Sequence, residues 1–204
     1  MIKYITSLLF IFLLSTTFVF SQEDIDQLFI DGCNLVVEGN YKKAVKCFNK
    51  VIDSDADYDF AIINRASCYA LMGKHKKSIA DLNIVIENAP DSYYAYETRG
   101  FELMEIKKFK EAIEDFTYVI NHDSSSQFAY FNRGLCYYKL GNPKYAIDDF
   151  TMSIYLNETD YEAYYFRALA YIDDKNFDFA CQDAQKAEEL GYPRSLKKII
   201  KYCK

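Results

Sequence analysis

One spacing organises this chain. The segments Ile62-Ile63-Asn64-Arg65-Ala66, Tyr96-Glu97-Thr98-Arg99-Gly100, Tyr130-Phe131-Asn132-Arg133-Gly134 and Tyr164-Tyr165-Phe166-Arg167-Ala168 follow one another at intervals of 34 residues. A second run keeps the same period: Ala44, Ser78, Ala112, Ala146 and Ala180, each followed four residues later by Phe48, Leu82, Phe116, Phe150 and Ala184. A fixed period of this size excludes an ordinary globular core. It demands a stack, in which each unit buries its apolar face only against its neighbours. Five units tile Ile25–Tyr58, Asp59–Ser92, Tyr93–Ser126, Gln127–Asp160 and Tyr161–Arg194, leaving 195–204 over.

Within a unit the apolar residues fall at i, i+4 and i+7, as in Tyr130, Gly134 and Tyr137 and again in Ala146, Phe150 and Ser153. Both halves are therefore helical. Between them lie Gly39-Asn40, Gly73-Lys74, Lys107-Lys108 or Gly141-Asn142, short turns in which glycine supplies a left-handed helix end. Pro143 falls at the opening turn of a second helix, where proline is tolerated. Each unit reads as a helical hairpin, and the fold class as all-α.

Residues 1–21 read differently. Lys3 precedes an apolar run from Tyr4 to Phe20, and Val19-Phe20-Ser21 ends it with modest side chains, the pattern of a secretory leader cut before Gln22. The run is short and hydroxyl-interrupted for a bilayer span of about 20 residues. The reading is an exported protein, periplasmic or secreted, with an uncut membrane anchor as the alternative. The whole chain carries a formal charge of -6, which argues against a nucleic-acid partner.

The hairpin residues resemble the tetratricopeptide repeat family, whose unit carries an aromatic, a Gly or Ala and a Tyr or Leu in its first half, then Ala, Phe and Ala in its second. The resemblance covers Ile25–Arg194. It implies a right-handed superhelical solenoid of five hairpins, and Leu196 to Lys201, with apolar residues three and four apart beside lysines, supplies a C-terminal capping helix. Departures are the absence of Trp, a unit-ending proline surviving only at Pro90, and Ala184 where Phe is expected. The family places its ligand groove on the inner face of the first helices, at positions two, five, nine, twelve and thirteen of each unit. That face carries Phe29, Ile63, Tyr94, Phe101, Phe128, Phe131, Leu135, Tyr138, Tyr165 and Leu169, a mostly aromatic and apolar set suited to a peptide or partner protein. One subtype clamps a C-terminal carboxylate with Lys, Asn and Arg from three first helices. Here Asn64 and Asn132 match its central Asn, but Phe29, Cys33, Glu97 and Phe101 stand at the flanking places, so the clamp is absent.

Arg65, Arg99, Arg133 and Arg167 are each followed sixteen residues later by Asp81, Asp115, Asp149 and Asp183. An antiparallel hairpin brings such residues level, so each pair is a candidate ion pair, with the next hairpin's Arg as the alternative partner of each Asp. Enzyme signatures are missing. His75 and His122 stand without a nucleophile at any recurrent spacing, and no phosphate loop or zinc motif occurs, so neither catalysis nor a cofactor is expected. Asp53, Asp55, Asp57 and Asp59 lack the central Gly and closing Glu of a calcium loop, and read as a solvated turn. Asn157-Glu158-Thr159 is a formal glycosylation acceptor. Cys68 and Cys136, two units apart at one position, read as buried small residues. Cys181 and Cys203 lie level about Tyr192, and Cys33 and Cys47 about Asn40, making each pair a disulfide candidate.

Two functions fit these readings. The first is an exported, non-catalytic module that binds a peptide or partner in the concave groove. The second is a membrane-anchored scaffold subunit of an envelope assembly complex that binds through its convex face.

Overall fold

A computed structural model of the chain describes residues 21–192 and 196–203, the side chains of 197 and 198 excepted. The leader assigned to 1–21 lies outside the described residues apart from Ser21. Helices α1 (Gln22–Val37), α2 (Tyr41–Ser54), α3 (Asp59–Leu71), α4 (His75–Asn88), α5 (Tyr93–Glu105), α6 (Phe109–His122), α7 (Gln127–Lys139), α8 (Pro143–Leu156), α9 (Tyr161–Asp173) and α10 (Phe177–Glu189) follow in order, and a single turn, α11 (Lys197–Ile200), closes the chain. They pair in sequence, α1 on α2 through α9 on α10, and each second helix packs on the next first helix. No strand occurs among the described residues.

The turns explain the hairpins. After α1 the chain reverses through Gly39 at φ 76°, and Asn40 N–H donates back to the Leu35 carbonyl at 2.8 Å, so the frayed helix end is satisfied within three residues. The same left-handed residue recurs at Gly73 and Gly141. Two hairpins have no glycine there, and Lys107 and Lys175 adopt φ 63° and 65° instead. α1 opens on a capping box in which Ser21 and Asp24 each accept from the other's backbone N–H.

Helix spacing inside each hairpin is set by one pair of side chains. A Cβ placed on Gly32 would meet the Phe48 ring at 2.6 Å, and one on Gly100 or Gly134 would meet Phe116 or Phe150 at 3.0 Å. Those three phenylalanines are fully buried. Where the first helix instead carries Ala66 or Ala168, the second carries the slimmer Leu82 or Ala184. Leu82 is thus a compensated substitution that keeps the combined volume in a close-packed seam, whereas Ala168 with Ala184 fills less of it, and Tyr192, Leu196 and Ile199 pack into the same cluster.

The repeated Arg and Asp pair inside their own hairpins. Arg133 donates from Nε and Nη2 to both Asp149 oxygens at 2.9 and 2.7 Å, and Arg65, Arg99 and Arg167 hold Asp81, Asp115 and Asp183 in the same two-pronged way. The remaining terminal nitrogen crosses to the preceding hairpin. It reaches Asn49 from Arg65, Asn83 from Arg99, Thr117 from Arg133 and Thr151 from Arg167, at 2.8 to 3.1 Å. One side chain therefore ties three helices together. Burial pushes the Asp115, Asp149 and Asp183 carboxyls up, against the opposing pull of their arginines.

Candidate partner-binding face

The first helices approach one another from hairpin to hairpin, α1 on α3, α5 on α7 and α7 on α9, whereas second helices do not meet to that extent. Helices that crowd together line the inside of a bend, so the first-helix surface is the inner face of the stack.

Position two of each hairpin sets the character of that face. Phe60, Tyr94 and Phe128 recur there in the second, third and fourth units and are 70%, 56% and 41% exposed. Phe101 is exposed beside them, its ring centroid 6.2 Å from that of Phe128. Three aromatic side chains at one helix position, each open to water, form a row that packing of the hairpins does not require. Asp26 and Glu162 occupy the same position in the first and fifth units and bracket the row with negative charge.

The other groove residues are half-buried. Phe29 packs against Phe48 and Tyr58 at 5.9 and 5.4 Å. Ile63 joins the cluster around Ile62 and Val85. Phe131 is wedged between Phe150 and Phe166 at 5.8 and 6.0 Å, and Leu135 and Tyr138 belong to the same cluster. Tyr165 stacks on Tyr192 at 4.3 Å, with Leu169 beside them. Burial, then the neighbouring Asp173 and Tyr165, pushes the Tyr138 phenol up. These side chains floor the groove and hold the stack at once.

Phe60 was not among the residues read from the sequence, although its interval of 34 from Tyr94 marks it. Glu102 was also missed. It fills a slot that the other later hairpins give to Cys68, Cys136 or Ala170, and is buried with one oxygen 2.9 Å from His75 Nδ1. Asn64 and Asn132 turn their amides back onto the Phe60 and Phe128 carbonyls at 2.8 and 2.9 Å, which leaves those donors engaged on their own helices.

Cysteines divide into two groups. Cys181 and Cys203 are joined, their Cα atoms 5.6 Å apart, so the chain end is tied to α10. Cys33 and Cys47 are not bonded to each other, and Cys33 packs instead into the cluster that holds Cys68. Burial pushes the Cys68 and Cys136 thiols up to about 11 and about 12, which makes them inert near neutrality. No group of three His, Cys, Asp or Glu that could hold a metal ion occurs among the described residues. Asp55 instead accepts from the Asp57 N–H at 3.2 Å, closing the turn of the acidic cluster on itself. An open cleft of about 540 Å³ between α4, α5 and α6 is lined by Arg99, Asp115, Lys108 and Glu111, whose charges already satisfy one another.

Helical hairpins stacked in one direction, with an aromatic row on the crowded side, define a solenoid of the interaction-module class. The match to known proteins narrows this. Models of the tetratricopeptide repeat match residues 37–58, 61–92 and 128–160. The chain belongs to the tetratricopeptide repeat family, whose members are typically protein–protein interaction modules. No curated protein matches the sequence. Among solved structures, a crystal structure of MamA aligns with TM-score 0.78 at 22% identity, covering 85% of this chain and 98% of that one. MamA from Desulfovibrio magneticus RS-1 aligns with TM-score 0.79 at 15% identity, covering 81% and 94%. YrrB, described as a tetratricopeptide protein with an unusual peptide-binding site, aligns with TM-score 0.75 at 16% identity, covering 85% and 90%. At these identities the likeness concerns the fold.

Proposed function

We propose that this protein is an exported, non-catalytic module that takes an extended segment of a partner protein along its first-helix groove. The carrying observation is the exposed row Phe60, Tyr94 and Phe128, with Phe101 beside it. Aromatic side chains left open on a preformed surface supply large contact area at little entropic cost, which is why such residues dominate binding energy. Asp26 and Glu162 at the ends of the row, with Glu97 and Asp173 on the same helices, select against anionic segments. The peptide-binding site named for YrrB supports this use of the fold. Export follows from the leader-like character of residues 1–21, and an intact mass beginning at Gln22 tests it.

The groove is tested with a displayed library of random peptides. Peptides enriched on the parent chain are titrated against the triple variant Phe60→Ser, Tyr94→Ser, Phe128→Ser. Loss of hot-spot aromatics lowers affinity roughly thirtyfold or more while the helical signal stays intact. Phe131→Ser and Tyr165→Ser behave differently, since they empty packed positions and lower the unfolding midpoint first. A folded triple variant that binds the same peptides equally well moves the site off the inner face.

A further inference from the structure

The turns inside the five hairpins, at 37–43, 71–77, 105–111, 139–145 and 173–179, all lie on one edge of the stack, because successive hairpins run in the same direction. The first four of these turns carry ten lysines against Glu38, Glu105 and Glu111, whereas the fifth carries Lys175 against Asp173, Asp174 and Asp178. All ten lysines are exposed, and among the described residues Lys108 alone of them is in an ion pair, with Glu111. The turns between hairpins, at 54–60, 88–94, 122–128 and 156–162, form the opposite edge. They hold eight Asp or Glu and no Lys or Arg. An acidic chain has thus sorted its charge into one edge that is basic along its first four hairpins and an opposite edge that is acidic.

Charge is only half of the basic edge. Val37 is 90% exposed there, and Leu71, Leu140 and Tyr145 are also exposed on the same turns. Apolar side chains projecting from among unpaired lysines are costly in water unless something covers them. A lipid surface answers both features along the four basic turns, since it presents phosphate and, a few ångströms deeper, acyl carbon at every point. Lysine stems lie along apolar surface while their ammonium groups reach headgroups. An extended acidic peptide would meet the lysines along the turns, but would cover Val37, Leu71, Leu140 and Tyr145 only if its own apolar side chains fell opposite each of them. The acidic edge, repelled by the same surface, faces away.

We propose that the edge formed by the turns inside the first four hairpins docks this protein on an anionic lipid bilayer, with the stack standing on its lysines, the acidic fifth turn outside the footprint and the groove opening sideways. This assignment does not depend on what the groove binds.

The test is sedimentation of the full chain with unilamellar vesicles of phosphatidylcholine, with and without an equal amount of phosphatidylglycerol. Neutral vesicles measure the uncharged contributions of residues 1–21 and of the apolar edge residues, and the increment on anionic vesicles that charge reversal removes belongs to the lysines of the edge. At low salt the anionic vesicles take up the chain at least about tenfold better, because each lysine near such a surface adds appreciably to binding, and the increment falls as salt shortens the screening length. Reversing Lys42, Lys43, Lys76 and Lys77 to Glu abolishes the increment with an unchanged helical spectrum. Val37→Ser with Tyr145→Ser weakens it several-fold and keeps its salt dependence. The proposal is overturned by equal uptake on both vesicle types, or by an increment that survives the charge reversal. It is equally overturned if soluble polyglutamate, and not the anionic vesicles, binds in a lysine-dependent way.

Discussion

The two ends of the stack solve the same problem by different means. In the inner hairpins the surface that meets the preceding hairpin carries Ala61, Ala95, Ala129 and Ala163 at position three, an Arg at position seven, and Cys68, Glu102, Cys136 or Ala170 at position ten. The first hairpin replaces these with Gln27, Asp31 and Asn34, all exposed, and Gln27 donates to Asp31 at 2.9 Å. Its outer surface has been rewritten for water. At the other end the fifth hairpin keeps an alanine-rich surface, Ala180, Ala184 and Ala187, and Tyr192, Leu196 and Ile199 cover it. The Cys181–Cys203 bond ties that cover down. A repeat protein is finished either by changing the exposed face or by laying chain across it, and only the second solution can be undone without altering a helix.

The widest contrast is between middle and end. Arg133→Ala should lower stability by about 3 kcal/mol or more, because it strands the buried Asp149 and frees Thr117. At the equivalent place in the first hairpin, Asp31→Ala should change stability by less than about 0.5 kcal/mol, the usual range for an exposed site. Urea midpoints decide this, and equal midpoints would reduce the arginine clamp to surface decoration.

Next comes the covered end. Closing the loop between Cys181 and Cys203, 22 residues apart, contributes roughly 3 kcal/mol in the chain-entropy model, so reductant or Cys203→Ser should lower the midpoint by that order. Hydrogen exchange should rise first in α10 and leave α1 unchanged. Uniform loosening of both ends would show that the cover stabilises the whole stack rather than its own hairpin.

The smallest effect belongs to the rewritten end. A cut before Gln22 removes Ser21 and with it the capping box, so a chain starting at Gln22 should lose about 1 kcal/mol relative to one retaining Ser21. The loss should be confined to exchange in the first turn of α1. If the two chains exchange identically there, the end is held by Ile25 in its buried seat and not by its cap.

The architecture was open to reading because the period never slips, and a strict period determines which residues must be buried together whatever the details of curvature. The inner face was less open. Phe131 and Tyr165 look like free aromatics in their own hairpins, but Phe166 and Tyr192, contributed by residues further along the chain, cover them. Single-unit reasoning sees neither neighbour. Phe60 stands at position two of its hairpin, 34 residues before Tyr94, so its place on this face was open to reading, while the exposure that distinguishes it comes only from packing. The basic edge is hidden for a related reason. No segment of the sequence is a basic run, and the lysines assemble only when turns 34 residues apart are brought side by side.

The arginine that reaches back to the preceding hairpin has a mechanical consequence. Such a bond crosses each of the four seams, from Arg65 to Asn49, Arg99 to Asn83, Arg133 to Thr117 and Arg167 to Thr151. A chain of coupled elements bends where its weakest coupling lies, and here every junction carries a rivet of the same design. Strain applied along the stack is therefore shared among the junctions, so the molecule should flex as an evenly loaded spring rather than fold about a hinge.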